Sequence, residues 1–531
     1  MIRNPILPGF NPDPSICRVG EDYYIATSTF EWYPGVQIHH SRDLVNWTLI
    51  RRPLERADQL DLRGEPDSCG VWAPCLSHAD GRFWLIYTDV KRYDGNFKDA
   101  HNYLVTAERI EDSWSGRTYM NSSGFDPSLF HDEDGRKWFV NQQWKHDTDS
   151  VGGRPRGTAF DGILLQEYDH AAGRLVGPIR NIFPGSPLSL VEGPHLFKRD
   201  GWYYLTTAEG GTGYDHAVTM ARSRDIAGPY ELHPETHLLT SKDAPDAPLQ
   251  RAGHGQIVET PTGETYHTHL CGRPLAGLRR CPLGRETALQ KLEWGADGWP
   301  RLAHGGLVPA LDVPAPTDAE PAAPRAIERV FDGAVLPPEF QWLRTPEPER
   351  IFTLTGSALR LTGRESIGSW FEQALVARRQ EHFVYRAETE LEFDPDTYQQ
   401  AAGLVTYYNR HKLHFLAVTW TPGQGRSLVV MSCPGDWPDA KLSFPLGRPQ
   451  PLPDGPVGLA VEVDHATQRF LLRGPDGWAQ VGPDLDASAI SDEAGRGDHG
   501  SFTGAFVGMA AFDTSGRART ADFRRFLYAP A

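Results

Sequence analysis

Five segments of this 531-residue chain repeat one pattern, and a repeat of that period restricts the possible folds more than any other feature. The copies begin Asp13-Pro-Ser-Ile-Cys, Ala73-Pro-Cys-Leu-Ser, Asp126-Pro-Ser-Leu-Phe, Glu192-Gly-Pro-His-Leu and, more weakly, Gly253-His-Gly-Gln-Ile. Each has a polar or small residue, then a short apolar run, a Gly-containing turn and an aromatic-rich run. Two such runs around an Asp-Gly-type turn predict a β-hairpin. The copies start roughly 50 to 65 residues apart, the length of a four-stranded propeller blade with its loops. Ser41-Arg-Asp-Leu-Val-Asn-Trp and Ser223-Arg-Asp-Ile-Ala-Gly-Pro-Tyr recur at the same phase of their own copies. Sustained helical periodicity is scarce. The expectation is an all-β chain whose residues 1–305 form a five-bladed β-propeller.

The pattern then changes. Residues 306–325 hold Pro309, Pro314, Pro316, Pro321 and Pro324 among Ala, Asp and Glu, which predicts an extended linker. Beyond it Phe383, Tyr385, Ala387, Thr389, Leu391 and Phe393 alternate with polar residues, the mark of a strand with one wet face. Similar runs at 403–408, 414–420 and 457–463 predict an antiparallel β-sandwich, of jelly-roll type, over 326–531. A chain this long needs more than one core in any case.

A propeller sets the start of each blade's inner strand beside the central channel. The repeat therefore carries Asp13, Ala73, Asp126, Glu192 and Gly253 to one channel mouth. Any one of the acids could simply cap a turn. Solvated surface acids have no reason to fall three times at the same phase of a repeat. Carboxyl groups brought together this way suit glycosidic cleavage: one protonated acid serves the leaving oxygen, and one carboxylate activates water or attacks the sugar. Their pKa values must be driven apart, and a third negative charge helps to hold the acid protonated.

The bulk numbers agree with such an enzyme and exclude other classes. A formal charge of −16 with no basic stripe argues against nucleic acid. No apolar run is long enough to span a membrane, and the N-terminus lacks signal-peptide features, so a cytoplasmic location is expected. The six cysteines form no Cys-x-x-Cys pair and read as reduced, buried thiols. Aromatics make up 11% of the chain and can both fill β cores and stack on sugar rings. Asp132-x-Asp134-Gly135 lacks the rest of a calcium loop and reads as a hairpin turn. His39-His40 and His267-Thr-His269 lack partner ligands at close spacing. Neither a Gly-x-Ser-x-Gly elbow nor a Gly-Lys phosphate loop is present.

Asn11-Pro-Asp-Pro-Ser15, Val71-Trp-Ala-Pro74, Phe125-Asp-Pro-Ser128, Val191-Glu-Gly-Pro-His195 and Leu283-Gly-Arg-Glu-Thr287, in that order and at blade spacing, resemble glycoside hydrolase family 43, and within it the two-domain β-xylosidases. The resemblance spans essentially the whole chain. It implies an inverting, exo-acting β-1,4-xylosidase on xylo-oligosaccharides, with α-L-arabinofuranosidase, alone or as a second activity, as the alternative. A non-catalytic carbohydrate-binding propeller is disfavoured, because all three acids are kept. By the resemblance Asp13 is the general base, Glu192 the general acid, and Asp126 the carboxylate that orients the acid and tunes it. An inverting pair stands about 6.5–9.5 Å apart. Arg285 would bind the terminal sugar, Trp72 and Phe30 would wall it, and His254 would lie near the channel axis. The segment Gly500-Ser-Phe-Thr-Gly-Ala-Phe506 resembles the sandwich loop that closes the pocket, with Phe502 as its aromatic residue. No cofactor is required. Some relatives carry a calcium ion on the axis, and relatives are often dimers or tetramers.

Overall fold

The computed structural model describes residues 1–93, 98–145, 159–435, 439–495 and 501–531. Gly500 lies outside the described residues; Phe502 lies within them. Apart from two single-turn 3-10 segments, Pro348–Arg350 and Ala487–Ala489, every regular element among these residues is a β-strand.

Each copy of the repeat opens one antiparallel sheet. The blades are Ser15–Val19, Asp22–Thr27, Gln37–Ser41 and Thr48–Arg51; then Gly70–Ala79, Arg82–Arg92, Asp99–Ala107 and Thr118–Asn121; then Ser128–His131, Lys137–Trp144, Phe160–Asp169 and Arg174–Phe183. The fourth is Glu192–Arg199, Trp202–Glu209, Ala217–Ser223 and Glu231–Thr240. In the fifth, Gln250–Gly253 and Ile257–Glu259 both pair with Thr265–Gly272, followed by Glu286–Trp294 and Pro300–Leu302. Ser41 and Ser223 each end the third strand of their blades, which accounts for the second repeated motif. The turn at Asp132 joins two strands of blade three, with its carboxylate bound to Lys198 Nζ (2.7 Å) and Tyr203 Oη (2.7 Å). All six cysteines are buried and unbridged.

The ring is fastened where the chain begins. Ile2–Arg3 pairs with Asp312–Val313, and Asn4 bonds to the backbone of Leu289 through both ends of its amide. Part of the 306–325 segment is thereby held on the propeller. Val313 is buried with Ile2, Ile25 and Leu289, and Asn46 bonds the backbone at Glu320 and Ala322. The apolar residues scattered among its prolines give this stretch something to bury.

Two further sheets pack face to face. One is built around Val384–Glu392, Val457–Asp464 and Thr520–Pro530, and the other around Gln400–Asn409, Lys412–Thr421 and Phe506–Asp513. In Val384–Glu392 buried and half-exposed residues alternate from one position to the next, as the hydrophobic pattern requires. The second sheet has an edge strand from outside the sandwich: Trp32–Tyr33, from blade one, pairs with Gln341–Leu343. Trp32 then stacks on Phe506, ring centroids 3.7 Å apart. Propeller and sandwich thus share backbone hydrogen bonds as well as a buried aromatic contact.

Candidate active site

The inner strands of the blades converge on a cavity of about 400 Å³. Its lining includes all of Asp13, Phe30, Trp72, Asp126, Glu192, His254, Arg285 and Phe502. The three acids are 5%, 7% and 8% exposed in chain order, so their charges are largely stripped of water. Four of the five copies also share an uncommon backbone at or beside the first position. Asp13 and Asp126 have φ of +56° and +53°, and the residues following Glu192 and Gly253, namely Gly193 and His254, have +57° and +49°. Left-handed backbone at non-glycine residues is costly, and it concentrates where a side chain must be aimed.

Asp13 is gripped from both sides. Ser28 Oγ donates to its Oδ2 at 2.6 Å, and Arg285 Nη1 lies 3.1 Å from its Oδ1. Among the described residues Glu192 accepts no such bond. Burial, then repulsion from Asp13, push its carboxyl up to about 8, against the pull of Arg285 and Lys98. Asp126 is also pushed well above the usual carboxylate range, by burial and then by Glu192 and Asp13, while the N–H of Gly193 (3.2 Å to Oδ2) acts in favour of its charge. Three buried acids in one pocket oppose one another's ionisation, and the hydrogen bonds mark Glu192 as the one least supported as an anion.

Arg285 is 3% exposed. It donates through Nε to the carbonyl of Phe502 (2.9 Å) and lies over the ring of Phe30 at 4.9 Å, and its Nη2 has no partner among the described residues. A buried donor left over beside the acids is what a sugar hydroxyl would complete. Phe30, Trp72 and Phe502 form a continuous wall: Phe30 and Trp72 have centroids 5.9 Å apart, Trp72 and Phe502 6.0 Å. Burial and Arg285 hold His254 down to about 3, so it stands neutral, with its ring against Gly193, where a Cβ would come within 2.8 Å of it.

Further lining residues carry no signal in the repeat. Lys98 places its ammonium 4.4 Å from the ring centroid of Trp144 and 5.2 Å from that of Trp72. Tyr93 and Phe160 join the same side, and Gly210–Gly213 form part of the rim. Phe125, in contrast, stands in the quoted Phe-Asp-Pro-Ser motif.

His195, His254 and His267 are neighbouring imidazoles, each held neutral chiefly by burial, and nitrogen donors of this kind differ from the oxygen ligands that calcium takes. Among the described residues no group of three or more His, Cys, Asp or Glu is placed to hold a metal.

Comparison with known proteins agrees along the whole length. Residues 2–300 match the family model described as Glycosyl hydrolases family 43, and residues 328–529 that described as Beta xylosidase C-terminal Concanavalin A-like domain. Xylosidase/arabinosidase 43B of Humicola insolens is 58% identical over 534 residues, covering 100% of this chain and 98% of that protein. A beta-xylosidase of Bacillus subtilis is 48% identical over 539 residues, covering 99% of each. Among solved structures, a xylan beta-1,4-xylosidase from Bacillus halodurans superposes with a TM-score of 0.95 at 48% identity, covering 100% of both chains.

Gly284 shows why glycine precedes Arg285. Its φ is +78°, and a Cβ there would lie 2.2 Å from the carbonyl oxygen of Thr503 in the sandwich. Gly284→Ala should therefore cost at least about 1–3 kcal/mol and displace both Arg285 and Phe502. The expected result is a lower unfolding midpoint together with a raised KM. An unchanged midpoint and KM would mean that the two segments can part without loss.

Proposed function

The chain belongs to glycosyl hydrolase family 43, and on that premise we propose that it is an exo-acting, inverting β-1,4-xylosidase that removes single xylose units from the non-reducing end of xylo-oligosaccharides. The observation that carries this reading is the grouping of three buried carboxyl groups at one end of a cavity that Phe502, from the second domain, walls on another side. A walled cavity of this size suits one terminal sugar. The names of the Humicola, Bacillus subtilis and Bacillus halodurans relatives support the same substrate class.

In this reading Asp13, held in place by Ser28 and Arg285, takes a proton from water as that water attacks the anomeric carbon. Glu192, kept protonated, gives its proton to the glycosidic oxygen as the bond between carbon and oxygen breaks. Attack and departure on opposite faces invert the anomeric centre. Asp126 accepts the N–H of Gly193, the residue next to Glu192, and so fixes the acid's backbone, while burial and the charge of Asp13 discourage Glu192 from ionising. Arg285 offers its spare Nη2 to a sugar hydroxyl. Phe30, Trp72 and Phe502 pack on the ring faces.

A second reading, α-L-arabinofuranosidase action at the same site, is favoured by the double name of the Humicola relative. D-Xylopyranose and L-arabinofuranose can present similar hydroxyl positions, so one pocket can serve both.

Release of p-nitrophenol from the β-D-xyloside and the α-L-arabinofuranoside decides between them. Faster turnover of the xyloside is expected, and dominant turnover of the arabinoside would reassign the substrate. Asp13→Ala should abolish both activities. Glu192→Ala should lose about 10²–10⁴-fold on xylobiose but far less on activated aryl xylosides, which need little protonation; equal losses would remove Glu192 from the acid role.

The pH profile carries its own sign. An acid whose pKa is raised to about 8 is competent below that value and fails as pH climbs through it. The alkaline limb of kcat/KM for xylobiose should therefore fall near pH 8, and Arg285→Met, which removes a cation beside Glu192, should move it to higher pH. A shift to lower pH would contradict the electrostatic account.

A further inference from the structure

Phe502 comes from the sandwich, and its backbone is held at several points. Its N–H donates to Ser68 Oγ (3.0 Å) and its carbonyl accepts from Arg285 (2.9 Å). The N–H of Thr503, the next residue, donates to Tyr408 Oη at 2.8 Å. Tyr408 is fully buried and donates its own hydroxyl proton to Asp492 Oδ1. Asp492 is fully buried too, and its Oδ2 lies 2.7 Å from Nη1 of Arg251. Arg251 belongs to the propeller, and its Nε donates to the carbonyl of Thr212 (2.9 Å), within the Gly210–Gly213 rim. One buried chain of contacts therefore runs from the blade-four rim through Arg251, Asp492 and Tyr408 to the backbone beside Phe502.

Physical chemistry makes this chain hard to explain as packing alone. A carboxylate buried this deeply is costly unless paired, and a buried hydroxyl is costly unless it is bonded. Phenylalanine at 408 would fill the same volume without either demand. The hydroxyl answers a specific need, the amide of Thr503. Its three participants stay out of the cavity lining themselves. They act on the pocket through two of its walls, which come from different domains.

We propose that Arg251, Asp492 and Tyr408 are positioning residues that hold Phe502 and the Gly210–Gly213 rim in one frame, and so set how tightly the pocket grips the terminal sugar. This deepens the exo-xylosidase reading and rests on it. The chain of contacts governs binding of the sugar ring, and the three carboxyl groups govern bond cleavage.

The test is Tyr408→Phe, which removes one oxygen and keeps the ring, made in the parent and in a Phe502→Ala background. Asp492→Asn serves as a second probe of the same chain. KM and kcat are measured on p-nitrophenyl β-D-xyloside, and amide exchange at Thr503 is followed without substrate. Tyr408→Phe should speed that exchange and raise KM about two- to tenfold, the weight of one net hydrogen bond, with kcat nearly unchanged. In the Phe502→Ala background the rise should be clearly smaller, because the nearer of the two walls through which it acts is gone. An unchanged KM, or an equal rise in both backgrounds, would overturn the proposal. So would an unchanged exchange rate at Thr503, which decides the matter even if the parent protein fails to hydrolyse xylosides; that failure would instead contradict the functional reading.

Discussion

The guanidinium of Arg285 touches three parts of the pocket at once, and the site's organisation depends on it. It pairs with Asp13, it holds the carbonyl of Phe502, and it lies over the ring of Phe30. A cation buried to 3% exposure is tolerated because each of these contacts compensates its lost hydration. Burial, and after it the same charge, keep His254 neutral. Its position follows from Gly284, whose left-handed backbone lets the sandwich loop approach closely enough for Arg285 to reach it.

That arrangement makes the second domain part of the site. Trp32–Tyr33 completes a sandwich sheet two residues beyond the pocket wall Phe30, and Phe506 stacks on Trp32 four residues beyond Phe502. Arg379 of the sandwich donates to the carbonyl of Phe10, three residues before Asp13, and to Gln341, which neighbours the shared strand. The propeller contributes the acids and the sandwich braces the segments that carry them. The strained backbones at Asp13 and Asp126 persist because packing on all sides fixes them.

The propeller was legible in the sequence because each blade repeats one hairpin, and phase in a repeat translates directly into position around an axis. That is why Asp13, Asp126 and Glu192 could be named as partners across 179 residues of chain. Alternation likewise revealed Val384–Glu392. Arg285 and Phe502 sit outside the repeat's first positions and were legible through family resemblance instead. Lys98, Tyr93 and Trp144 were not legible: Tyr93 follows a strand, Lys98 precedes one and Trp144 ends one, outside the positions that the repeat marks, and a lone lysine among aromatics has no period. The pairing of Trp32–Tyr33 with Gln341–Leu343 was hidden for a similar reason. Two residues are too few to show alternation, and their partner lies more than 300 residues away.

The account's central claim is that Asp13 and Glu192 act from opposite faces of a bound xylose, one through water and one on the leaving oxygen. Proton NMR of the first sugar released from a β-xyloside, recorded faster than mutarotation, tests this directly. The account predicts α-D-xylose as the initial product, decaying to the anomeric equilibrium. Initial release of β-D-xylose would contradict it, because retention requires a covalent intermediate and a different assignment of the three carboxyl groups.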